Sequence, residues 1–309
     1  MALGEFELIR RFFTAQAVRH RETVLGIGDD GAVLCPPPDH ELVVTVDTLV
    51  SGVHFLPTVD PERLGHKALA VNLSDLAAMG AEPRWASLAL TLPEADPAWL
   101  AAFARGFFRL AERHGVELIG GDTTQGPLAI TVQALGWVPR GAALRRSGAR
   151  PGDRIYLSGP MGCAGLGLKI RLGQVAFDDA EAVLRLEQPE PRVELGVSLR
   201  GIASACIDVS DGLAADLGHL LEASAVGAVL EFEQLPLTEG VRRYLAGGDW
   251  RLPLVAGDDY ELCFTAPAER VLAASGCVPV GHIVAERGLW LRKDGRDIEL
   301  LPQGYEHFA

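Results

Sequence analysis

Strand-like and helix-like segments alternate along this chain, and the alternation limits the folds that it can adopt. Residues 41–50 and 128–138 are rich in β-branched side chains, which is typical of strands. Between them, residues 60–80 and 96–115 each open with Asp-Pro and close on Gly, as helices commonly begin and end. A further amphipathic helix is predicted over residues 5–19. The pattern predicts an α/β protein.

The length and composition suit two soluble domains. The chain has 309 residues, and its 48% hydrophobic and 22% charged residues are ordinary for a globular protein. Residues 139–153 combine prolines and glycines without a hydrophobic period, so a domain boundary is expected there. We therefore predict an N-terminal domain over residues 1–140 and a C-terminal α/β domain over residues 150–309.

The net charge of −13 restricts the partners of the chain. It argues against a nucleic-acid partner, and an anionic ligand would need a divalent metal ion to offset the repulsion. Residues 1–13 interrupt their apolar positions with charges, which fits neither a signal peptide nor a membrane span. Five scattered cysteines without a CxxC pair are typical of reduced thiols, so a cytoplasmic protein is expected.

Two adjacent aspartates lie between glycines in GIGDDGAVL, residues 26–34. Aspartate tolerates turn geometry and bonds its own backbone, so a turn alone can explain Asp29 and Asp30. Further aspartates fall within or beside strand-like runs, where ligands gather in α/β folds. These are Asp47, Asp122, Asp208, Asp211, Asp258 and Asp259. Their placement favours a shared ligand, while the turn explanation stays open for the first pair.

Asp75 lies in a predicted helix, on the same face as Leu64, Ala68 and Val71. A carboxylate on this apolar face needs hydrogen-bond donors or a metal ion, because burying an unpaired charge is costly. Hydroxyl groups lie near the aspartates at Thr45, Thr48, Thr123 and Ser210. Carboxylate and hydroxyl oxygens suit Mg²⁺, which takes its other ligands from water and substrate phosphates. A magnesium–polyphosphate site is predicted, and a purely structural role of Asp75 remains open.

A glycine-rich bend, SGPMGCAGLG, spans residues 158–167 before a predicted helix. Its GxxGxG order reverses the dinucleotide-binding fingerprint, and no GK[ST] follows to complete a P-loop. Tight packing of a strand against a helix is the favoured explanation of these glycines, with a phosphate cradle as the alternative. Phosphate recognition is therefore expected elsewhere in the chain.

Eight short motifs are spread over nearly the whole chain. They are GIGDDGAVL, DTLVSGVHF, KALAVNLSDLAAMGA, LIGGDTT, RSGARPGD, DVSDGL, GDDYELCFT and the terminal GYEHF. In this order and spacing they resemble the thiamine-monophosphate kinases, relatives of aminoimidazole ribonucleotide synthetase. The resemblance implies a two-domain α/β fold of the α+β type and a homodimer whose N-terminal domains, which bind ATP and Mg²⁺, join their sheets. It also implies phosphoryl transfer from ATP to thiamine monophosphate, which gives thiamine diphosphate.

The resemblance implies roles for individual residues. Positions that hold or adjoin several magnesium ions in the family match Asp30, Thr45, Asp47, Asp75, Asp122, Asp208 and Asp211. Nucleotide-contacting positions match Gly121, Asp122, Arg146 and Ser210. Asp29 is expected to shape its loop. Val46 stands where relatives often carry a hydroxyl, so a metal contact there would use the main chain.

The substrate-contacting positions of the family match His54, Asp258 and Tyr305. A carboxylate and an aromatic face can each stabilise the cationic thiazolium of thiamine, and His54 can bond its phosphate. Relatives often carry Glu where Asp258 stands, so this contact would be shorter or water-mediated. A structural histidine and a tail that only packs its aromatic rings remain alternatives. No catalytic side-chain base is expected, because a phosphate monoester with a second pKa of about 6 is already an oxyanion.

Two other functions remain open. One is a sister ATP-dependent enzyme, although selenophosphate synthetases need a reactive Cys and a Lys near the N-terminus and residues 1–28 contain neither. The hydrogenase-maturation relative uses a C-terminal cysteine, and none follows Cys277 here. The other function is a non-catalytic module that binds magnesium and nucleotide. The presence of both metal-site and substrate-site motifs argues against such a module.

Overall fold

The computed structural model describes residues 4–247, 249–270 and 276–307. The chain divides into two compact units: an N-terminal unit of Met1–Leu76 with Ala81–Gly141, and a C-terminal unit of Ala77–Gly80 with Ala142–Ala309. Helices and sheets occur in both, which confirms the predicted α/β class of the α+β type. The roles assigned to domains 1–140 and 150–309 stay predictions.

A mixed sheet forms the centre of the N-terminal unit. The helices of this part of the chain are α1 (Glu5–Phe12), α2 (Pro61–Ala78) and α3 (Pro97–His114). The strands are β1 (Thr23–Leu25), β2 (Val33–Leu34), β3 (His40–Val50), β4 (Glu82–Leu92), β5 (Glu117–Gln125) and β6 (Ala129–Pro139). The order in the sheet is β3-β6-β4-β5, where only the β4–β5 pair is parallel, and β1 and β2 form a separate antiparallel pair.

The ends of α2 and α3 lie where local signals predicted them. Asp60 Oδ1 accepts the Glu62 N–H at 2.8 Å at the start of α2. Asp96 likewise accepts the Ala98 N–H at 2.8 Å at the start of α3, which ends at Gly115 with a φ of 64°. Capping residues and left-handed glycines act within one turn, so the sequence contains the whole signal.

The first helix is shorter than predicted, because α1 ends at Phe12 and not at residue 19. Gln16, within the predicted helix, forms hydrogen bonds with the sheet instead. Its Nε2 donates to the Leu118 carbonyl and its Oε1 accepts the Leu118 N–H, each at 2.7 Å. Hydrogen bonds to β5 thus replace those that a longer helix would make.

A seven-stranded sheet forms the centre of the C-terminal unit. Its strands are β7 (Arg154–Leu157), β8 (Ala205–Asp208), β9 (Gly227–Glu231), β10 (Leu262–Ala266), β11 (Val278–Val284), β12 (Gly288–Lys293) and β13 (Arg296–Glu299). The helices are α4 (Cys163–Arg171), α5 (Ala180–Glu187), α6 (Val193–Ser198), α7 (Leu213–Ser224), α8 (Glu239–Leu245) and α9 (Leu252–Val255). The order in the sheet is β13-β12-β9-β11-β7-β10-β8, with β9 and β12 parallel.

The core of the C-terminal unit lies between α7 and the sheet. Leu213, Leu217 and Leu220 of α7 are fully buried in one cluster with Ile155 of β7 and Val280 of β11. Burial of these side chains fixes the loop between β8 and α7, which carries several predicted site residues. In the described part of the chain, no helix is both long and apolar enough to cross a membrane.

Candidate functional site

A cavity of about 660 Å³ in the N-terminal unit brings two predicted metal ligands together. Asp30 lines it from the β1–β2 loop, residues 26–32, and Asp122 lines it from β5. Both side chains are exposed, so their charges carry no burial penalty. Ile9 and Phe13 add an apolar wall. The cavity therefore combines carboxylate oxygens with a surface that an uncharged ring could cover.

Asp122 lies inside β5, which continues past Gly120 and Gly121 to Gln125. Pairing with β4 continues through Gly121, opposite Leu88, and through Asp122, opposite Ala89. A Cβ on Gly121 would lie 1.8 Å from the Leu88 carbonyl oxygen. Glycine is required at this position because the two strands approach so closely, and this packing requirement is independent of the predicted nucleotide contact.

The two adjacent aspartates of the loop have different surroundings. Asp29 Oδ1 accepts the main-chain N–H of Asp30 at 2.9 Å, as in a turn stabilised by its own side chain. This bond supports the expectation that Asp29 shapes the loop. The Asp30 side chain lines the cavity, and metal binding by Asp30 stays a prediction.

Asp75 has a hydrogen-bond donor in the neighbouring strand. It is half-buried on α2, and the Thr45 hydroxyl of β3 donates to its Oδ2. Asp47 follows two residues later on the same face of β3. The pairing supplies the donor that a carboxylate in this place requires, and metal binding by Thr45, Asp47 and Asp75 stays a prediction.

Asn72 is a residue that the sequence analysis did not select. It is fully buried on α2, one turn before Asp75, and its Nδ2 donates to the Ala68 carbonyl at 3.3 Å. Among the described residues its Oδ1 has no hydrogen-bond partner. A buried amide oxygen without a donor is uncommon. Helical spacing places Asn72 close to the apolar face that carries Asp75, which was the available signal.

His54 has a defined tautomer when its ring is neutral. Its Nδ1 accepts the main-chain N–H of Val50 at 3.0 Å, so the ring proton is on Nε2. Lys67 donates to the His54 carbonyl at 3.3 Å and is itself buried. The ring therefore has a donor at Nε2, as the predicted contact with a phosphate needs.

Four predicted site residues of the C-terminal unit lie on segments that are hydrogen-bonded to one another. The Asp258 N–H donates to the Ser210 carbonyl at 2.8 Å, and the Tyr305 N–H donates to the Asp211 carbonyl at 2.9 Å. The terminal segment is therefore attached to the β8–α7 loop. Phe308 of the terminal motif lies outside the described residues.

Asp216 holds the β8–α7 loop from inside. Its Oδ2 accepts the N–H groups of Ser210, Asp211 and Gly212 at 3.0, 3.0 and 3.1 Å. Burial raises the pKa of Asp216 to about 7, against the effect of these bonds. The nucleotide contact of Ser210 stays a prediction, and because its N–H is engaged, such a contact would use the hydroxyl. No sequence pattern separates Asp216 from ordinary helix residues.

Asp208 and Asp211 differ in burial. Asp208 is buried at the end of β8, and Asp211 is partly buried. Burial raises the pKa of Asp211, while the neighbouring His219, His307 and Arg146 oppose the rise. Arg146 is exposed, and its carbonyl accepts the Ser224 hydroxyl at 3.0 Å.

The glycine-rich bend packs tightly and is occupied by an internal carboxylate. Asp259 accepts the N–H groups of Gly162 and Ala164 at 2.5 and 3.0 Å, at the start of α4. A Cβ on Gly162 would lie 2.9 Å from Pro253 Cα. Both observations support the packing explanation, because Asp259 takes the place that a phosphate would need.

The donor chemistry fits magnesium, although the carboxylates do not form one compact cluster. Within the described ranges, no three His, Cys, Asp or Glu side chains are arranged to hold a metal ion. Asp30 and Asp122 at one cavity nevertheless suit Mg²⁺, which commonly binds one or two carboxylates and fills its shell with water and phosphate oxygens.

The chain matches known proteins along its whole length. Residues 28–138 match the family described as AIR synthase related protein, N-terminal domain, and residues 150–287 match its C-terminal domain. A thiamine-monophosphate kinase of Escherichia coli (strain K12) is 45% identical over 323 aligned positions, which cover 100% of this chain and 99% of the relative.

Solved structures agree with the sequence comparison. The crystal structure of thiamine-monophosphate kinase from Stenotrophomonas maltophilia K279a has a TM-score of 0.86 and 47% identity, over 96% of this chain and 98% of that chain. The structure of AaThiL complexed with AMPPCP and TMP has a TM-score of 0.81 and 32% identity, over 91% and 92%. The chain therefore belongs to the thiamine-monophosphate kinase family, within the AIR synthase related proteins.

Proposed function

We propose that this protein transfers the γ-phosphoryl group of ATP to thiamine monophosphate, which yields ADP and thiamine diphosphate in the final step of its biosynthesis. The observation that carries the proposal is the cavity on which Asp30 and Asp122 meet beside an apolar wall. Whole-chain identity of 45% to a thiamine-monophosphate kinase identifies the acceptor. Of the relatives with solved structures, AaThiL was crystallised with AMPPCP and TMP.

Different residues of the chain would bind the metal ions, the nucleotide and the acceptor. Magnesium ions held by Asp30, Asp47, Asp75, Asp122, Asp208 and Asp211, with Thr45 adjoining, would offset the charge of the phosphates. Arg146, Ser210 and Gly121 are assigned to the nucleotide. In the N-terminal unit, His54 donates from Nε2 to the phosphate of the acceptor. In the C-terminal unit, Asp258 and Tyr305 stabilise the thiazolium cation.

The transfer is direct and in line, without a base supplied by the protein. The acceptor phosphate is an oxyanion at neutral pH because its second pKa is about 6. It attacks the γ-phosphorus, the bond to the β,γ-bridging oxygen breaks, and ADP leaves with that oxygen. Catalysis then rests on positioning and charge neutralisation.

The test is to incubate the purified protein with ATP, Mg²⁺ and thiamine monophosphate and to follow thiamine diphosphate. ATP made chiral at its γ-phosphorus tests the mechanism, because one displacement inverts that centre and a phospho-enzyme route retains it. ATP binding without any thiamine diphosphate would favour the non-catalytic module. Retention would overturn the single-step transfer.

The protein is further proposed to be a cytoplasmic homodimer. Strand β3 lies at the edge of its sheet, and its exposed side chains Leu42, Val44 and Val46 are apolar. An exposed apolar edge strand readily pairs with another chain. No disulfide joins any of the five cysteines, all of which lie in the described part of the chain, and this supports a reducing compartment.

A further inference from the structure

The hairpin that carries Asp30 buries little apolar surface of its own. Its strands β1 and β2 are short, and Val24, Leu25 and Val33 are 68%, 37% and 50% exposed. An isolated two-stranded hairpin is marginally stable in water. Contacts outside the hairpin must therefore hold the loop of residues 26–32 at the cavity.

A buried carboxylate at the start of β5 makes such contacts. Glu117 is 2% exposed, and its Oε2 accepts the His20 N–H at 2.8 Å and the Thr23 hydroxyl at 2.7 Å. Thr23 is the first residue of β1, and its Oγ1 also accepts from Trp85 Nε1 at 2.8 Å. Trp85 is fully buried in β4. The hairpin is thus attached to two strands of the sheet through one hydroxyl.

The same carboxylate lies next to the loop. A Cβ on Gly26 would lie 3.9 Å from Glu117 Oε1. Glu117 Oε1 also forms an ion pair with Arg19 Nη1 at 3.4 Å. Because the arginine is half exposed, this ion pair contributes little to stability. Glu117 and Asp122 belong to one strand, so the group that fixes the hairpin and the second carboxylate of the cavity are carried by the same element.

We infer that Glu117 is a positioning residue, which acts through Thr23 to hold Asp30 at the cavity that Asp122 also lines. Without its acceptor oxygen, the partly buried His20 N–H and Thr23 hydroxyl would lose their partner, and the hairpin would lose its attachment. The part of the inference that concerns nucleotide rests on the proposed function. The part that concerns the loop does not.

The test compares Glu117→Met, which keeps the length of the side chain but cannot accept, with Glu117→Gln, whose amide oxygen can accept both bonds. Glu187→Met is the matched control, because Glu187 is also a buried glutamate bonded to a partly exposed arginine, Arg171, at 2.7 Å. Amide hydrogen exchange over residues 26–32 reports the loop. Titration with a non-hydrolysable ATP analogue and Mg²⁺ measures nucleotide affinity. Steady-state rates of thiamine diphosphate formation give the KM values for ATP and thiamine monophosphate.

For Glu117→Met we expect roughly tenfold faster exchange in the loop and a roughly tenfold weaker analogue affinity, with a smaller change in the KM for thiamine monophosphate. Glu117→Gln should stay near the wild type, and Glu187→Met should change stability alone. If Glu117→Met does not fold, Thr23→Val tests the same link, with Thr23→Ser as its conservative counterpart.

Unchanged exchange and affinity in a folded Glu117→Met, or equal effects of Glu187→Met, would overturn the inference. A wild-type protein that makes no thiamine diphosphate would instead contradict the proposed function, and the exchange experiment would still decide the role of Glu117.

Discussion

At the scale of residues, the aspartates of this chain fall into two kinds. Asp29, Asp216 and Asp259 accept main-chain N–H groups and stabilise loops, whereas Asp30 and Asp122 are exposed at a cavity. The sequence cannot distinguish Asp258 from its neighbour Asp259, because the groups that Asp259 holds lie 95 residues away, at Ala164. The sequence predicted that these carboxylates belong to a ligand site. Only the tertiary contacts show which aspartates stabilise loops and which line the cavity.

The neighbouring pair in the first loop offers a matched comparison. Asp30→Asn removes a charge from the cavity and should lower kcat/KM by about 100-fold or more, because charge neutralisation at the phosphates is lost. Asp29→Asn keeps an oxygen that can accept the Asp30 N–H, so its effect should be much smaller. Initial rates at saturating Mg²⁺, with thermal unfolding as a check on folding, measure both. Equal losses would remove the distinction between the two residues.

Asp259 makes the stability of the fold depend on pH. Burial raises its pKa from the usual 3.8 to about 7, more than the Ala164 and Gly162 N–H groups lower it. Below pH 4 both states carry the proton. Between about pH 4 and 7 the native state keeps a proton that the unfolded state releases, so the free energy of unfolding falls as the pH rises.

Urea unfolding of the wild type and Asp259→Asn checks this dependence. As the pH rises from 4 to 7, the free energy of unfolding of the wild type should fall relative to that of Asp259→Asn. Above pH 7 the difference between the two proteins should stay constant. Subtracting the variant removes the titration of all other groups. A difference that stays constant over this range would assign the pH dependence to other residues.

At the scale of elements, local signals decided how well the sequence predicted the fold. Asp60 and Asp96 cap their helices through residues two or three positions later, so α2 and α3 were predictable. The end of α1 depends on Gln16 pairing with Leu118, which lies 102 residues away. β5 continues through two glycines because β4 supplies its hydrogen bonds, and glycine alone indicated a break.

The two glycines of β5 should respond differently to substitution. A Cβ on Gly121 would lie 1.8 Å from the Leu88 carbonyl oxygen, whereas a Cβ on Gly120 meets nothing within 4 Å. Gly121→Ala should therefore lower the free energy of unfolding by about 1–3 kcal/mol and weaken ATP binding by displacing Asp122. Gly120→Ala should do neither. Denaturant unfolding and ATP titration of both variants measure this, and a harmless Gly121→Ala would contradict the close pairing.

At the scale of the whole molecule, the order of eight motifs indicated the family before any local detail was known. The motifs do not indicate which surface of the N-terminal sheet is exposed. Val43, Thr45 and Asp47 of β3 are partly buried, and the alternate residues face outward. Alternation normally places polar side chains on the outer face. Here Leu42, Val44 and Val46 make that face largely apolar. The β-branched run of residues 41–50 indicated a strand that could continue a sheet across subunits, but not which of its side chains face outward.

The outer face of β3 provides the test of the proposed homodimer. Val44 and Val46 are 52% and 57% exposed on a strand of 11 residues at the sheet edge. Pairing of two such edges would satisfy their main-chain groups, and packing of the two outward faces against each other would bury these valines. Light scattering at micromolar concentration should give a dimer for the wild type and a monomer for Val44→Lys, because a desolvated lysine opposes pairing. Leu184→Lys, on α5 and 43% exposed, should remain dimeric. A monomeric wild type, or a dimeric Val44→Lys, would remove β3 as the interface.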